Sequence, residues 1–373
     1  MRDFSIDDVY LLDVLKRLLE TPSPSGMTDA AVALVCAELE ELDIPFELTR
    51  RGAIRATLKG SAEAPHRAIV GHLDTLGAMV KGIRDNGRLE IVPIGTWAAR
   101  FAEGARVTIF SERRRFRGTI LPMKASGHVY NEEIDTQPSA WTNLEVRIDA
   151  LTASAWETRT LGIAIGDTIA IDPQPEFSPT GFINSRHLDD KAGVAAILTA
   201  ARAVRESDTT LPINCYLLFT LSEEVGVGAS AVLHGDIAEL VSVDNGTIAP
   251  TQNTSVQGVT IAMQDSSGPF DWHLTRSLIG IARDFNIDHT RDVFRYYRSD
   301  AASAVEAGND IRAALVCFGL DASHGWERTH KSSLLALARL LIFYMQSLPL
   351  FSRDREALGP AGDLPAGEMG AQS

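Results

Sequence analysis

Apolar residues recur at helical spacing over residues 6 to 20 and 27 to 42, and the interruption Thr21-Pro-Ser-Pro-Ser-Gly between them predicts a turn joining two amphipathic helices. Short β-prone segments follow at Phe46 to Thr49, Ala53 to Leu58 and Ala68 to Val70, the last running into "GHLDTLG". From about Ala78 to Ser178 the pattern changes to brief alternating segments, "GRLEIVPIG", "ARVTIF", "FRGTILPM", "LEVRIDA" and "DTIAIDP", separated by Gly, Pro and Asn, with one helix near Ser154 to Thr160. That texture predicts a small, mostly β module.

After Thr180 helix and strand patterns alternate. "KAGVAAILTAARAVRE", "ASAVLHGD", "SLIGIARDFN" and "SSLLALARLLIFYMQSL" read as helices, and "PINCYLLFTL", "ELVSVDN" and "IRAALVCFG" as strands. Such alternation predicts an α/β domain with a mainly parallel mixed sheet sandwiched by helices. The economical division is a catalytic-scale α/β domain over 1–78 plus 179–352, a β insert over 79–178, and a flexible tail over 353–373 rich in Gly, Pro and Ala. No internal repeat is visible.

Composition narrows the role. With 45% apolar and 23% charged residues the chain is ordinary globular material, and a formal net charge of −14 with only the short basic run at Arg113 to Arg115 argues against nucleic acid and anionic membranes as partners. Cys36, Cys215 and Cys317 stand apart in apolar stretches, as reduced core thiols do. No secretory signal or membrane-length apolar run is seen, so the expected location is the cytoplasm.

Open α/β sheets bind ligands at the carboxyl ends of their strands. At those ends stand His72 and Asp74, then Asp189 and Asp190 at a helix start, Glu223 and Glu224 in "LSEEVGVGAS", Asp244, and His330 before the last helix. Each has a plain structural reading: Asp before a helix is a cap, Asp before Asn-Gly a turn residue, and a Glu-Glu pair a solvated turn. Their convergence on one rim is what overrides those readings, because buried adjacent carboxylates need cations. Two histidines with interleaved carboxylates are a ligand set for zinc, or for cobalt or manganese, and their number suits a pair of ions with one glutamate left over as a base. His66, His128, His187, His234, His273 and His289 fall outside this pattern, and His324 in "ASHGWE" is the one rival to His330.

The segments "TPSPSG", "GHLDTLGAMV", "DNGRLEIVPIG", "NSRHLDDKAGVA", "SEEVGVGAS", "SVDNG", "SGPF", "YYRSDAASA" and "ERTHKSS" resemble, in order and approximate spacing, those of metallopeptidase family 42, the cytoplasmic aminopeptidases of hollow tetrahedral assemblies. The match spans nearly all of 10–348. It implies a zinc-peptidase type fold with two divalent ions per subunit. It further implies that His72 is a ligand oriented by Asp74, Asp189 a bridge, Glu224 and Asp244 further ligands, His330 the last, and Glu223 the general base. Asp300 and His324 are assigned to substrate binding. The resemblance also implies a homo-oligomer built from dimers, up to twelve chains, with the insert at the subunit contacts. Thr75, where the family has an acid, and "ERTHKSS" in place of "RYIHSP" depart from the pattern. The latter is closer to the family 20 wording and is similar to a branch associated with N-acetylglutaminylglutamine amide osmoprotectant genes. The expected substrate is therefore a short peptide, with an N-acylated or amidated metabolite as the alternative and a non-catalytic scaffold as the least favoured reading.

Overall fold

The N-terminal periodicity produces helices Asp8–Glu20 and Asp29–Glu41. Asp7 caps the first by accepting from the N–H groups of Val9 and Tyr10, and Leu11, Val14, Leu15 and Leu18 form its buried stripe. The structure, a computed structural model, describes residues 1–351, so the tail expected to be flexible lies outside the described residues.

Strand Gly60–His72 is the axis of the main sheet. Leu211–Thr220 and Ile237–Thr247 pair with it in parallel on either side, and Arg312–Leu320 adds in parallel beyond the latter. Ile54–Leu58 and Val259–Asp265 flank this group in antiparallel pairing, so the sheet is mixed with a parallel centre. The central strands are buried on both faces, which is why Cys215 to Phe219 and Leu315 to Phe318 read as unbroken apolar runs. Helices Leu188–Arg205 and Lys331–Gln346 pack on the sheet and on each other, with Asp8–Glu20 against the former. Fully buried Arg67 bonds Glu239 at 3.1 Å on the neighbouring strand and lies over the ring of Tyr344, tying the sheet to the last helix.

Between His72 and Asp189 the chain forms a closed antiparallel barrel. Around it run Gly77–Ile83, Leu89–Ile94, Leu144–Ile148, Arg115–Pro122, Arg106–Phe110 and Thr168–Ile171. The alternation of the sequence fills it with Val80, Ile91, Val107, Ile120, Val146 and Ile169, a core separate from that of the main sheet.

Two expectations need correction. "ASAVLHGD" is not a helix: only the 3-10 turn Gly228–Ala231 forms, because Gly226, Gly228 and Gly235 take positive φ and the N–H of Ala229 is claimed by a carboxylate. Strands Val259–Asp265, His289–Val293 and Glu327–His330 also exist where the pattern gave no strand.

Candidate metal centre

Parallel pairing delivers the carboxyl ends of four strands to one rim, and the titratable side chains gather there. His72 closes its strand, 1% exposed, with Nδ1 2.9 Å from the main-chain oxygen of Asp74. A carbonyl only accepts, so the proton sits on Nδ1 and Nε2 is turned to Asp189, 3.1 Å from its Oδ1. The Asp74 carboxylate does a different job: it accepts from the N–H of Glu223 at 3.1 Å and of Glu224 at 3.3 Å, and from Ser25 Oγ. The paired glutamates are thus held by their backbone. "TPSPSG" becomes intelligible as the clasp of this loop, since Ser23 Oγ donates to the Leu73 carbonyl and the N–H of Thr75 to the Ser23 carbonyl.

Asp189 opens the helix that Lys191 anchors, the Lys191 ammonium donating to the Leu18 carbonyl at 2.8 Å. Its second oxygen, Oδ2, lies 3.3 Å from His324 Nε2, whose ring is also 3.5 Å from Glu224. One carboxylate therefore stands between two imidazoles, an oxygen facing each. Asn245 donates to Asp189 Oδ2 at 2.8 Å and to Asp244 Oδ1 at 3.1 Å, fixing the two acids relative to one another. The barrel contributes directly: the carbonyl of Thr96 is 2.8 Å from His324 Nδ1. Gly95, φ +80, makes that approach possible, for a Cβ there would press on Leu76 at 2.5 Å and touch the Glu224 main chain at 3.4 Å.

Two groups of ligand atoms result, His72 with Glu223 and Asp244, and Asp189 with Glu224 and His324, each within 4.8 Å. Burial, opposed by His72 and reinforced by Asp244, raises the Glu223 carboxyl well above its usual range, and burial with Asp189 raises Glu224 likewise. Burial and Asp189 push Asp244 up to about 8. Burial would depress His324, but its bond to Asp189 and the charge of Glu224 outweigh that and push it up to about 10. Four carboxylates and two imidazoles crowded out of water are a donor set short of positive charge, and divalent cations of the zinc class fit it.

The M42 glutamyl aminopeptidase family model matches residues 52–340. The Bacillus subtilis (strain 168) protein YhfE is 37% identical over 337 residues, 90% of this chain and 97% of its own. The chain belongs to the M42 family. Membership places it among the aminopeptidase-type metallopeptidases. Solved structures agree in fold: a TET aminopeptidase from the marine sediment archaeon Thaumarchaeota archaeon SCGC AB-539-E09 has a TM-score of 0.83 at 18% identity, covering 92% of this chain and 98% of that one. The Pyrococcus horikoshii TET1 peptidase, which can assemble into a tetrahedron or a large octahedral shell, has 0.80 at 20%, covering 91% and 100%.

Within this M42 chain two expected site residues lie elsewhere. His330 is outside both groups. It is the last residue of strand Glu327–His330, paired with Phe182, where it caps helix Lys331–Gln346 by accepting from the N–H of Ser332 and holds the Thr180 carbonyl at 2.9 Å through Nε2. His324 stands where His330 was expected. Asp300, assigned to substrate binding, is buried instead, its oxygens accepting from Thr220 Oγ1 and the Ala229 N–H, both at 2.6 Å. A Cβ on Gly228 would overlap that carboxylate, so this junction admits no larger residue. Sequence reasoning missed Asn245, Thr96 and Glu327; only Asn245, beside an expected ligand, carried a signal.

Proposed function

We propose that the chain is a two-metal aminopeptidase of short peptides. The observation that carries this reading is the Asp189 carboxylate set between His72 and His324, 3.1 and 3.3 Å from their Nε2 atoms, with both glutamates of the pair beside it. His72 and Asp244 would hold one ion, Glu224 and His324 the other, and Asp189 both. When bound, two divalent ions supply Lewis acidity, making a water acidic enough to lose its proton near neutral pH and polarising a carbonyl.

The remaining work belongs to the protein. Glu223, 3.8 Å from His72 Nε2 and still 14% exposed at its side chain, is placed to accept the water proton and return it to the amine that leaves. Its basicity, raised by burial, suits that role. Asp74 keeps the carboxylate aimed by gripping the Glu223 N–H. Beyond His324 and Ser323 opens a cavity of about 840 Å³ walled by Phe294, Tyr296, Tyr297 and Met263, large enough for a dipeptide or tripeptide.

Zinc, cobalt and manganese loading of chelated protein, assayed on aminoacyl and N-acyl substrates side by side, tests the reading. Metal-dependent release of free N-terminal residues supports it, and cleavage confined to N-acylated or amidated substrates would replace it with a deacylase. We extend the proposal to a cytoplasmic homo-oligomer built on dimers, with twelve chains as the family precedent; light scattering that returns a monomer overturns that part.

A further inference from the structure

The two imidazole-bearing sides of the centre are not supported alike. His72 lies at the end of a strand and is paired there with Thr220, whereas His324 sits in a loop, Ala322–Ser323–His324, in which Ala322 (φ +54) and His324 (φ +65) both occupy the left-handed region. Residues with a Cβ resist that region, so the loop needs outside restraint to keep its shape. Asp189, another member of this group, comes from a distant part of the chain. A single side chain reaches both. Glu327, 1% exposed, accepts from the N–H of His324 through Oε1 at 2.9 Å and from the N–H of Asp189 through Oε2 at 3.2 Å.

We infer that Glu327 is a positioning residue for the second metal site: its carboxylate clamps the backbones of Asp189 and His324 so that their side chains meet at the spacing an ion requires. The inference rests on the two-metal reading. A carboxylate is needed because both oxygens must accept. Glutamine of the same shape offers one acceptor and one NH2, and the NH2 would face an N–H donor and push it away. The ring of His324 would keep its bond to the Thr96 carbonyl, while its main chain is free to leave the left-handed conformation and carry Nε2 away from Asp189. Among the described residues no hydrogen bond or ion pair joins Glu327 to His72, Glu223 or Asp244, and it reaches the first ion's set only through the Asp189 backbone.

The test compares full-length wild type, Glu327→Gln, His324→Ala and the double variant, each stripped with chelator and titrated with zinc against a competing chromophoric chelator. Wild type is expected to take two equivalents. Glu327→Gln should bind the second roughly 10- to 100-fold more weakly and the first, which shares only Asp189 with it, with a much smaller loss. Its activity should return in excess zinc with KM unchanged, and the double variant should lose no more zinc than His324→Ala alone. Glu327→Asp, which keeps the charge but withdraws the carboxylate by one methylene, reads the same quantity should the glutamine variant not fold, and should weaken the second equivalent in the same direction. Two equivalents bound at wild-type affinity by the folded Glu327 variant would overturn the inference and leave the two-metal reading standing. A wild type that takes up no zinc would remove both.

Discussion

Glu223 and Glu224 are neighbours in sequence with different prospects, and the difference comes from which group each faces. Glu223 joins His72 and Asp244, Glu224 joins Asp189 and His324. Replacing Glu223 by Gln leaves shape and most donors intact and removes the base; turnover should fall by about 10²-fold or more while metal analysis shows two ions retained. The histidines separate as cleanly. His324→Ala should release one equivalent of metal and most of the activity, whereas His330→Ala should keep both and lower stability by about 1 kcal/mol, the worth of a helix cap, measured by denaturant unfolding. His72, Glu224 and Asp244 could be picked out in the sequence because each follows an apolar run that ends at a sheet rim, and Asp189 because it stands in an Asp-Asp pair at a helix start. His324 could not be chosen over His330, because the choice depends on a left-handed loop that no periodicity announces.

Among the elements, those that bury two faces or one clear stripe were readable: the N-terminal helices, the central parallel strands, helix Leu188–Arg205 and the closing helix. The alternating segments of the insert also announced a β unit, though not its closure. What escaped were pieces held by partners instead of pattern, such as the short strand Glu327–His330, whose register with Phe182–Ser185 is set by the chain on either side. The Arg67–Glu239 pair belongs to this scale, since it joins strand to strand and both to the last helix. Removing one partner, as in Arg67→Leu, leaves a buried unpaired carboxylate and should cost about 3–5 kcal/mol; the double change Arg67→Leu with Glu239→Leu should cost less than the two single changes combined.

For the molecule as a whole, the centre is a concentration of buried negative charge in a chain that already carries −14. Metal binding should therefore stabilise the fold as well as equip it. Chelation is expected to lower Tm by on the order of 5 °C or more, corresponding to roughly 2.7 kcal/mol per ion at a hundredfold excess over Kd, and readdition of zinc should restore it in a dose-dependent scan.

The barrel begins at Gly77, soon after His72 and Asp74, ends at Ile171, from which the chain passes through strands Glu176–Phe177 and Phe182–Ser185 to Asp189, and rests its Thr96 carbonyl on His324. The chain thus enters the barrel beside one histidine of the candidate centre and comes back to the aspartate that faces it, His72 Nε2 and Asp189 Oδ1 lying 3.1 Å apart. Excising it would cut the chain between two residues that are in direct contact, and grafting a foreign module would remove the Thr96 carbonyl from His324. A contact made on the barrel would therefore bear, through the Thr96 carbonyl, on a candidate ligand, so the insert is a support of the centre as well as a handle attached to it.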